Sequence, residues 1–131
     1  MTERLEVRTS TKYALPPAPE PLPVPTTDAH THALSTRDHS GLAVADALAL
    51  ARSVNVTRIV EVGTDVASST AAIELAGQYP DVVAAVAIHP NDAARLGDRL
   101  PVELDRLAAL VGSSDRVRAV GETGLDYFRT T

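Results

Sequence analysis

The fold is decided by an apolar stretch in the second half of the chain, VVAAVAI at residues 82–88. It is apolar on both faces, as a strand in a parallel sheet covered by helices must be. Three further short runs rich in β-branched residues have the same strand character. The four predicted strands are Val24–Ala29, Thr57–Val62, Val82–Ile88 and Val117–Gly121.

Segments with helical periodicity separate these strands. The predicted helices are Leu42–Ser53, Val66–Gln78 and Pro101–Val111. Asp65 is placed to cap the second helix, Pro101 suits the first turn of the third, and Gly112 is placed to end it. Strict alternation predicts an α/β fold with a parallel sheet covered by helices. Because a closed (β/α)₈ barrel needs about 250 residues, the sequence corresponds to half of a TIM barrel.

Composition limits the class of protein. The chain has 131 residues, of which 44% are hydrophobic and 22% charged, a length and balance that suit one globular domain. No apolar run approaches the roughly 18 residues of a membrane span. The absence of cysteine excludes disulfides and thiolate ligands and fits a cytoplasmic location. A net charge of −5 argues against binding of nucleic acid by a basic surface, although a bound metal can still bind a phosphate.

Proline dominates the first part of the chain. Six of the nine prolines lie between Pro16 and Pro25. Proline fixes φ and lacks a backbone donor, so this stretch is predicted to be extended and solvated. Residues 1–23 are therefore predicted to be a disordered Pro-rich tail, and residues 24–131 the folded part. A docking role for the tail is the alternative to a plain linker.

The strongest chemical signal is DAHTH at residues 28–32, at the carboxyl end of the first predicted strand. Side chains alternate along a strand, so Asp28, His30 and His32 are predicted to face the same side. Two imidazoles with this spacing can bind one divalent ion, and Asp28 is near enough to orient them. The alternative is a pair of surface histidines at the start of a loop.

A carboxylate follows the fourth predicted strand, in VGETGLDY at residues 120–127. Glu122 lies on the rim where a barrel displays its catalytic groups. There it can complete a His/His/carboxylate set or bridge two ions. Gly121 and Gly124 permit tight turns and close approach of the backbone to a ligand. Alternatively, Glu122 caps the next helix or pairs with an arginine.

A third histidine, His89, follows the third predicted strand in IHPN at residues 88–91. On the same rim it can donate to a phosphate oxygen or assist a proton transfer, the alternative being an ordinary loop histidine. GTD at residues 63–65 is predicted to be a turn and helix cap. Asp38 and His39 are predicted to lie in a loop. The convergence of the other candidates on one rim favours a metal site.

These motifs resemble those of the TatD-type metal-dependent hydrolases, in the amidohydrolase-like superfamily. The motifs are DAHTH at 28–32, VGTD at 62–65, AIHP at 87–90 and VGETGLDYF at 120–128. The resemblance implies a (β/α)₈ barrel that hydrolyses phosphodiester bonds, as a deoxyribonuclease, with two divalent ions such as Mg²⁺, Mn²⁺ or Zn²⁺. It implies that His30, His32 and Glu122 are metal ligands and that His89 lies near the substrate phosphate.

The resemblance also implies ligands that this sequence does not supply, two histidines and an aspartate from later strands. The chain is therefore predicted to be truncated to about the first four βα units, with weak metal binding and little hydrolysis of its own. Exposed barrel edges are predicted to favour self-association. The expected partner is a nucleic acid or small phosphodiester substrate, and no membrane is expected.

Two alternatives are open at this point. One is another barrel hydrolase with an H-x-H strand, such as a PHP-type phosphoesterase, an amidase or a lactonase. Lys12 is the only lysine, which argues against the carboxylated lysine that some of these enzymes use, and GETGLDYF is not a PHP signature. The other alternative is a non-catalytic remnant that binds a metal or a partner. Nuclease activity measured against a metal-free control separates the hydrolase from the remnant.

Overall fold

The computed structural model describes residues 15–128. The elements, in chain order, are β1 (Thr26–Thr31), α1 (Ala33–Ser40), α2 (Val44–Ser53), β2 (Val56–Val62), α3 (Val66–Gln78), β3 (Val82–Val86), α4 (Pro90–Leu96), a 3₁₀ helix (Gly97–Arg99), α5 (Leu100–Val111) and β4 (Val117–Val120). The strands form one sheet in the order β1-β2-β3-β4. β3 pairs in parallel with both β2 and β4. This arrangement confirms the predicted α/β fold and is consistent with about four βα units of a TIM-barrel-type domain.

The described residues divide into two compact units, residues 15–27 with 32–57 and residues 28–31 with 58–128. In the first unit, α1 and α2 contact each other. Gly41 ends α1 in a left-handed conformation with φ of 71°, and its N–H donates to Arg37 O at 2.8 Å. Glycine suits this position because it adopts positive φ without a steric penalty. Within residues 15–128, no helix has the length and hydrophobicity that crossing a bilayer requires.

The proline-rich residues 15–23 form neither helix nor strand. Leu22 N–H donates to Val54 O at 3.0 Å, and the Asn55 side-chain amide donates to Leu22 O. Asn55 has φ of 66°, and asparagine tolerates this left-handed region better than most residues do. The boundary between tail and folded part stays a prediction, and residues 1–14 of the predicted tail lie outside the described residues.

The core of the second unit centres on β3. Val82 and Val86 have no exposed surface, which accounts for the apolar character of this strand on both faces. Val86, Ile88 and Leu107 form the centre of an apolar cluster against which side chains of α3, α4, α5 and β4 pack. The strand that decides the fold in the sequence is therefore the most completely buried strand in the structure.

The structure differs from the sequence prediction mainly in its short elements. β1 begins and ends two residues later than predicted, and β3 ends at Val86. α1 and α4 were not predicted, so Asp38 and His39 lie on a helix and not in a loop. In α1 only Ala33 is buried, and one buried residue gives no helical periodicity to detect.

Candidate active site

Glu122 lies at the centre of a small polar cluster in the second unit, just after β4. Its Oε2 is 3.3 Å from Nε2 of His30 on β1, and its Oε1 is 3.9 Å from Nε2 of His89, which follows β3. The side chains of His30, Glu122 and His89 are 49%, 30% and 23% exposed. The structure therefore brings together three of the predicted site residues, and they remain accessible to a ligand.

The contact between His30 and Glu122 joins the two outermost strands of the sheet. In a flat sheet three steps of about 4.8 Å would separate the first strand from the fourth, about 14 Å in all. The two side chains and the 3.3 Å contact between them bridge this distance, as side chains at the carboxyl ends of parallel strands can in a barrel-type sheet. The carboxyl ends of the strands are thereby gathered around one site.

The chemistry of this pair fits a divalent cation. His30 and Glu122 offer a ring nitrogen and a carboxylate oxygen, donor types that Zn²⁺ and Mn²⁺ accept. Two ligand atoms bound tetrahedrally to Zn²⁺ at about 2.0–2.1 Å lie about 3.3–3.4 Å apart. The observed separation of Nε2 and Oε2 is 3.3 Å, so both groups can contact one ion without a large rearrangement.

The His89 ring is oriented by the start of α4. Its Nδ1 accepts a hydrogen bond from the backbone N–H of Asn91 at 3.1 Å, which makes His89 the N-cap of this helix. A neutral imidazole that accepts at Nδ1 carries its proton on Nε2. This Nε2 lies 3.9 Å from Oε1 of Glu122, farther than a hydrogen bond. A metal-binding histidine usually donates from its second nitrogen, so His89 has the geometry of a hydrogen-bond donor and not of a ligand.

The backbone that carries His89 is fixed by the neighbouring loop and by α3. The His89 N–H donates to Thr64 O at 2.8 Å. The hydroxyl of Ser69, on α3, accepts from Ala87 N–H at 3.1 Å and donates to Ala87 O at 3.3 Å. Ser69 is completely buried, so these bonds satisfy its hydroxyl and both polar backbone groups of Ala87. The end of β3 is thus attached to α3 directly before His89.

Ser69 can reach β3 because residue 63, at the end of β2, is glycine. A Cβ at this position would lie 2.5 Å from Cα and 2.6 Å from N of Ser69, closer than carbon atoms can approach. Neither role was predicted from the residue pattern. One signal was available for Ser69: it lies three residues before Ala72 on the buried face of α3, where a polar side chain needs a partner.

The other predicted residues have local contacts. His32 follows β1 directly and occupies the N-cap position of α1, without a side-chain cap bond. Oδ1 of Asp28 accepts from the backbone N–H of His30 at 3.0 Å, so its bond is to the backbone and not to an imidazole. Asp65 confirms the predicted helix cap, because its Oδ1 accepts from Ser68 N–H at 2.7 Å in a capping box.

Histidine and carboxylate side chains at the carboxyl ends of parallel strands are typical of metal-dependent enzymes with a barrel fold. Comparison with known families agrees with this class. Residues 27–131 match the family of TatD related DNases, and the chain belongs to that family. The resemblance predicted from the motifs is therefore confirmed.

Curated relatives are similar over the same region. An uncharacterized metal-dependent hydrolase TatD of Mycobacterium tuberculosis (strain H37Rv) is 38% identical over 101 residues, which cover 77% of this chain and 37% of the relative. A 3'-5' ssDNA/RNA exonuclease TatD of Dickeya dadantii is 39% identical over 83 residues, 63% of this chain and 30% of the relative. The uncharacterized metal-dependent hydrolase YabD of Bacillus subtilis is 32% identical over 97 residues, which cover 74% of this chain and 36% of the relative. The chain thus spans about a third of the length of these relatives.

Proposed function

We propose that this chain carries a metal-binding part of a phosphodiester hydrolase, with His30, His32 and Glu122 as ligands of a divalent ion. The observation that carries this proposal is the 3.3 Å contact between Nε2 of His30 and Oε2 of Glu122. His32 is included because only Thr31 separates it from His30 and because the H-x-H spacing suits one ion. Mg²⁺, Mn²⁺ and Zn²⁺ are all candidates, since imidazole with carboxylate selects weakly among them. A second ion per full-length site is proposed on the family resemblance alone.

The proposed substrate is a nucleic acid strand, cleaved as a deoxyribonuclease does. The relatives from Dickeya dadantii and Edwardsiella piscicida are named 3'-5' ssDNA/RNA exonucleases, which supports a nucleic acid over a small phosphodiester. The family match also favours this activity over a PHP-type phosphoesterase. A cytoplasmic location stays a prediction from the cysteine-free composition.

The described side chains have two roles: His30 and Glu122 hold the ion, and His89 contacts the substrate. A divalent ion, when bound, supplies Lewis acidity that makes hydroxide available near neutral pH and offsets charge on the phosphoryl oxygens. His30 and Glu122 hold that ion at the carboxyl edge of the sheet. His89 donates its Nε2–H to a phosphate oxygen, and its cap bond from Asn91 keeps the ring in the tautomer that this role needs.

Calorimetric titration of the EDTA-treated chain with Mn²⁺ or Zn²⁺ tests the proposed site. We expect about one ion per chain, because residues 15–128 contain one such group of ligands. His30→Asn and Glu122→Gln should each weaken metal binding by more than about a hundredfold. Removing a residue that only hydrogen-bonds to a ligand costs up to about a hundredfold in affinity, and removing the ligand itself costs more. His39→Asn is the matched control, because its Nδ1 lies 2.7 Å from Ser35 O within α1.

Unchanged binding in the His30 and Glu122 variants would refute the site, and two tight ions per chain would refute the stoichiometry. Nuclease assays with and without metal then separate the two functional alternatives. Metal-dependent cleavage that is lost with Glu122→Gln supports the hydrolase. Metal binding without cleavage favours the non-catalytic alternative for this chain.

A further inference from the structure

A cleft of about 320 Å³ opens in the second unit between the start of α3, the helix α4 with the 3₁₀ helix that follows it, and the start of α5. Its volume is at the lower end of the range for small-molecule sites, about 300–1,000 Å³. Asp65 and Val66, which line it, follow β2, and Asp92 follows β3. The cleft therefore belongs to the same edge of the sheet as His89, the edge where parallel α/β folds bind their ligands.

The floor of this cleft is apolar and firmly held. Val66, Ile88 and Leu96 line it, and all three belong to the apolar cluster around Val86 or pack against it. Ile88 precedes His89 directly in the chain. A floor that is part of the core offers a fixed apolar surface to a planar group such as a nucleobase.

Arg99, at the cleft, differs from the arginines near it because it forms no ion pair with an acidic residue among the described residues. Three acidic residues line the cleft. Asp92 pairs with Arg95 at 3.0 Å, and Glu103 pairs with Arg106 at 2.7 Å. The third, Asp65, accepts from Ser68 N–H as the cap of α3. Arg99 lines the same cleft and is exposed. Within residues 15–128 it makes no hydrogen bond or ion pair. A free guanidinium with five donors is well suited to bind phosphate oxygens.

We propose that this cleft is a binding subsite for one nucleotide unit of a single-stranded nucleic acid, with Arg99 contacting a phosphate and the apolar floor contacting a base. The assignment rests on the proposed nuclease function and extends it to a second position along the strand. An apolar floor beside an unpaired guanidinium matches an amphipathic nucleotide better than it matches inorganic phosphate. Arg99 is in this scheme a positioning residue and does not contact the reacting atoms.

The test measures strand binding without metal and without hydrolysis. A fluorescein-labelled oligothymidylate is titrated with the chain in EDTA by fluorescence anisotropy, between about 50 and 200 mM KCl. We expect Arg99→Ala to weaken binding about fivefold at the lowest salt and to reduce the slope of log K against log salt by about 0.7, the value of one phosphate contact on a single strand. Arg99→Lys should keep the slope. Arg58→Ala is the matched control, since Arg58 is also exposed but lies near the amino end of β2, away from the cleft.

A second measurement locates the strand. The chain has no tryptophan, so Ala67→Trp places a single reporter on an exposed position that lines the cleft. The fluorescence of this tryptophan should change on addition of the unlabelled oligothymidylate. The change should be absent in a chain that carries both Ala67→Trp and Arg99→Ala.

The outcomes separate this inference from the function on which it rests. An Arg99→Ala chain with unchanged affinity and slope overturns the subsite, and so does a tryptophan signal in the Ala67→Trp chain that does not respond to the strand. Equal losses in Arg99→Ala and Arg58→Ala also overturn it, because they indicate unspecific charge attraction. If the unmodified chain does not bind the strand, the subsite is wrong, whereas the metal titration with His30→Asn still decides the proposed metal site on its own.

Discussion

Replacement of Gly63 by alanine tests whether the approach of α3 to β2 holds the candidate site. The added Cβ would lie 2.5 Å from Cα and 2.6 Å from N of Ser69, whereas carbon atoms in contact are about 3.5–4.0 Å apart. These neighbours are helix backbone, so the start of α3 must move by about 1 Å to accept the methyl group. Such a movement lengthens the bonds between Ser69 and Ala87, which are 3.1 and 3.3 Å now.

The expected destabilisation combines two costs. Overpacking a rigid site costs about 1–3 kcal/mol, and leaving polar groups of a buried Ser–Ala pair unsatisfied costs about 1–3 kcal/mol. We therefore expect Gly63→Ala to lower the free energy of unfolding by about 2–6 kcal/mol, a large part of the stability of a small domain. Urea unfolding followed by circular dichroism measures this loss. Hydrogen exchange at the Ala87 amide should also become faster, since Ser69 protects it.

Gly77→Ala is the matched control on the same helix. A Cβ at Gly77 meets no atom within 4 Å, and the residue is exposed. Alanine is a better helix former than glycine, so this variant should gain about 0.5–1 kcal/mol. If the free energy of unfolding of Gly63→Ala lies within about 0.5 kcal/mol of that of the unmodified chain, the close approach does not constrain α3 and the prediction is wrong.

Two further predictions concern the rest of the second unit. Arg116→Ala should lower the free energy of unfolding by about 2–3 kcal/mol, because Nε and Nη2 of its guanidinium lie within hydrogen-bond distance of four backbone carbonyls, with the two Nη2 hydrogens shared among three of them. The four carbonyls belong to Ala76, Tyr79, Pro80 and Val82. Urea unfolding tests this, with exposed Arg118→Ala as the control; equal stability of the two variants would contradict it. The chain should also self-associate with rising concentration in light scattering, since β4 is an edge strand and Val120 at its end is 58% exposed. Val120→Lys should reduce this association, and a uniform monomer at roughly tens of micromolar would contradict the prediction.

The sequence predicted those elements whose burial is periodic. α3 has the predicted bounds, because Asp65 caps it and its apolar residues recur on one face. β3 was predictable because it is buried on both faces. α4 has no fully buried residue. Only Ala93 and Leu96 pack against the apolar cluster, which is too few to give a helical period, and His89 caps the helix. Such a helix leaves only a proline and an acidic residue as sequence signals.

The candidate site was predicted as a set of residues but not as a geometry. Strand ends place His30, His89 and Glu122 at one edge of the sheet, and alternation along the chain suffices to predict that. The proposed division of roles between His89 and the metal ligands depends on the single bond from Asn91 N–H to His89 Nδ1, which no residue pattern specifies. The support from Ser69 was equally hidden, because the contact requires the exact separation of a helix from a strand.

The contact between His30 and Glu122 also has a consequence for how the chain folds. His30 lies on the first described strand and Glu122 follows the last one, so the site cannot form from any contiguous piece of the second unit. A molecule in which either outer strand has detached retains its histidines and its carboxylate but loses the geometry to share an ion. On the proposed site, metal affinity would therefore report complete folding. An ion held by this pair would close a long loop of chain, and its binding free energy would oppose fraying at both edges of the sheet.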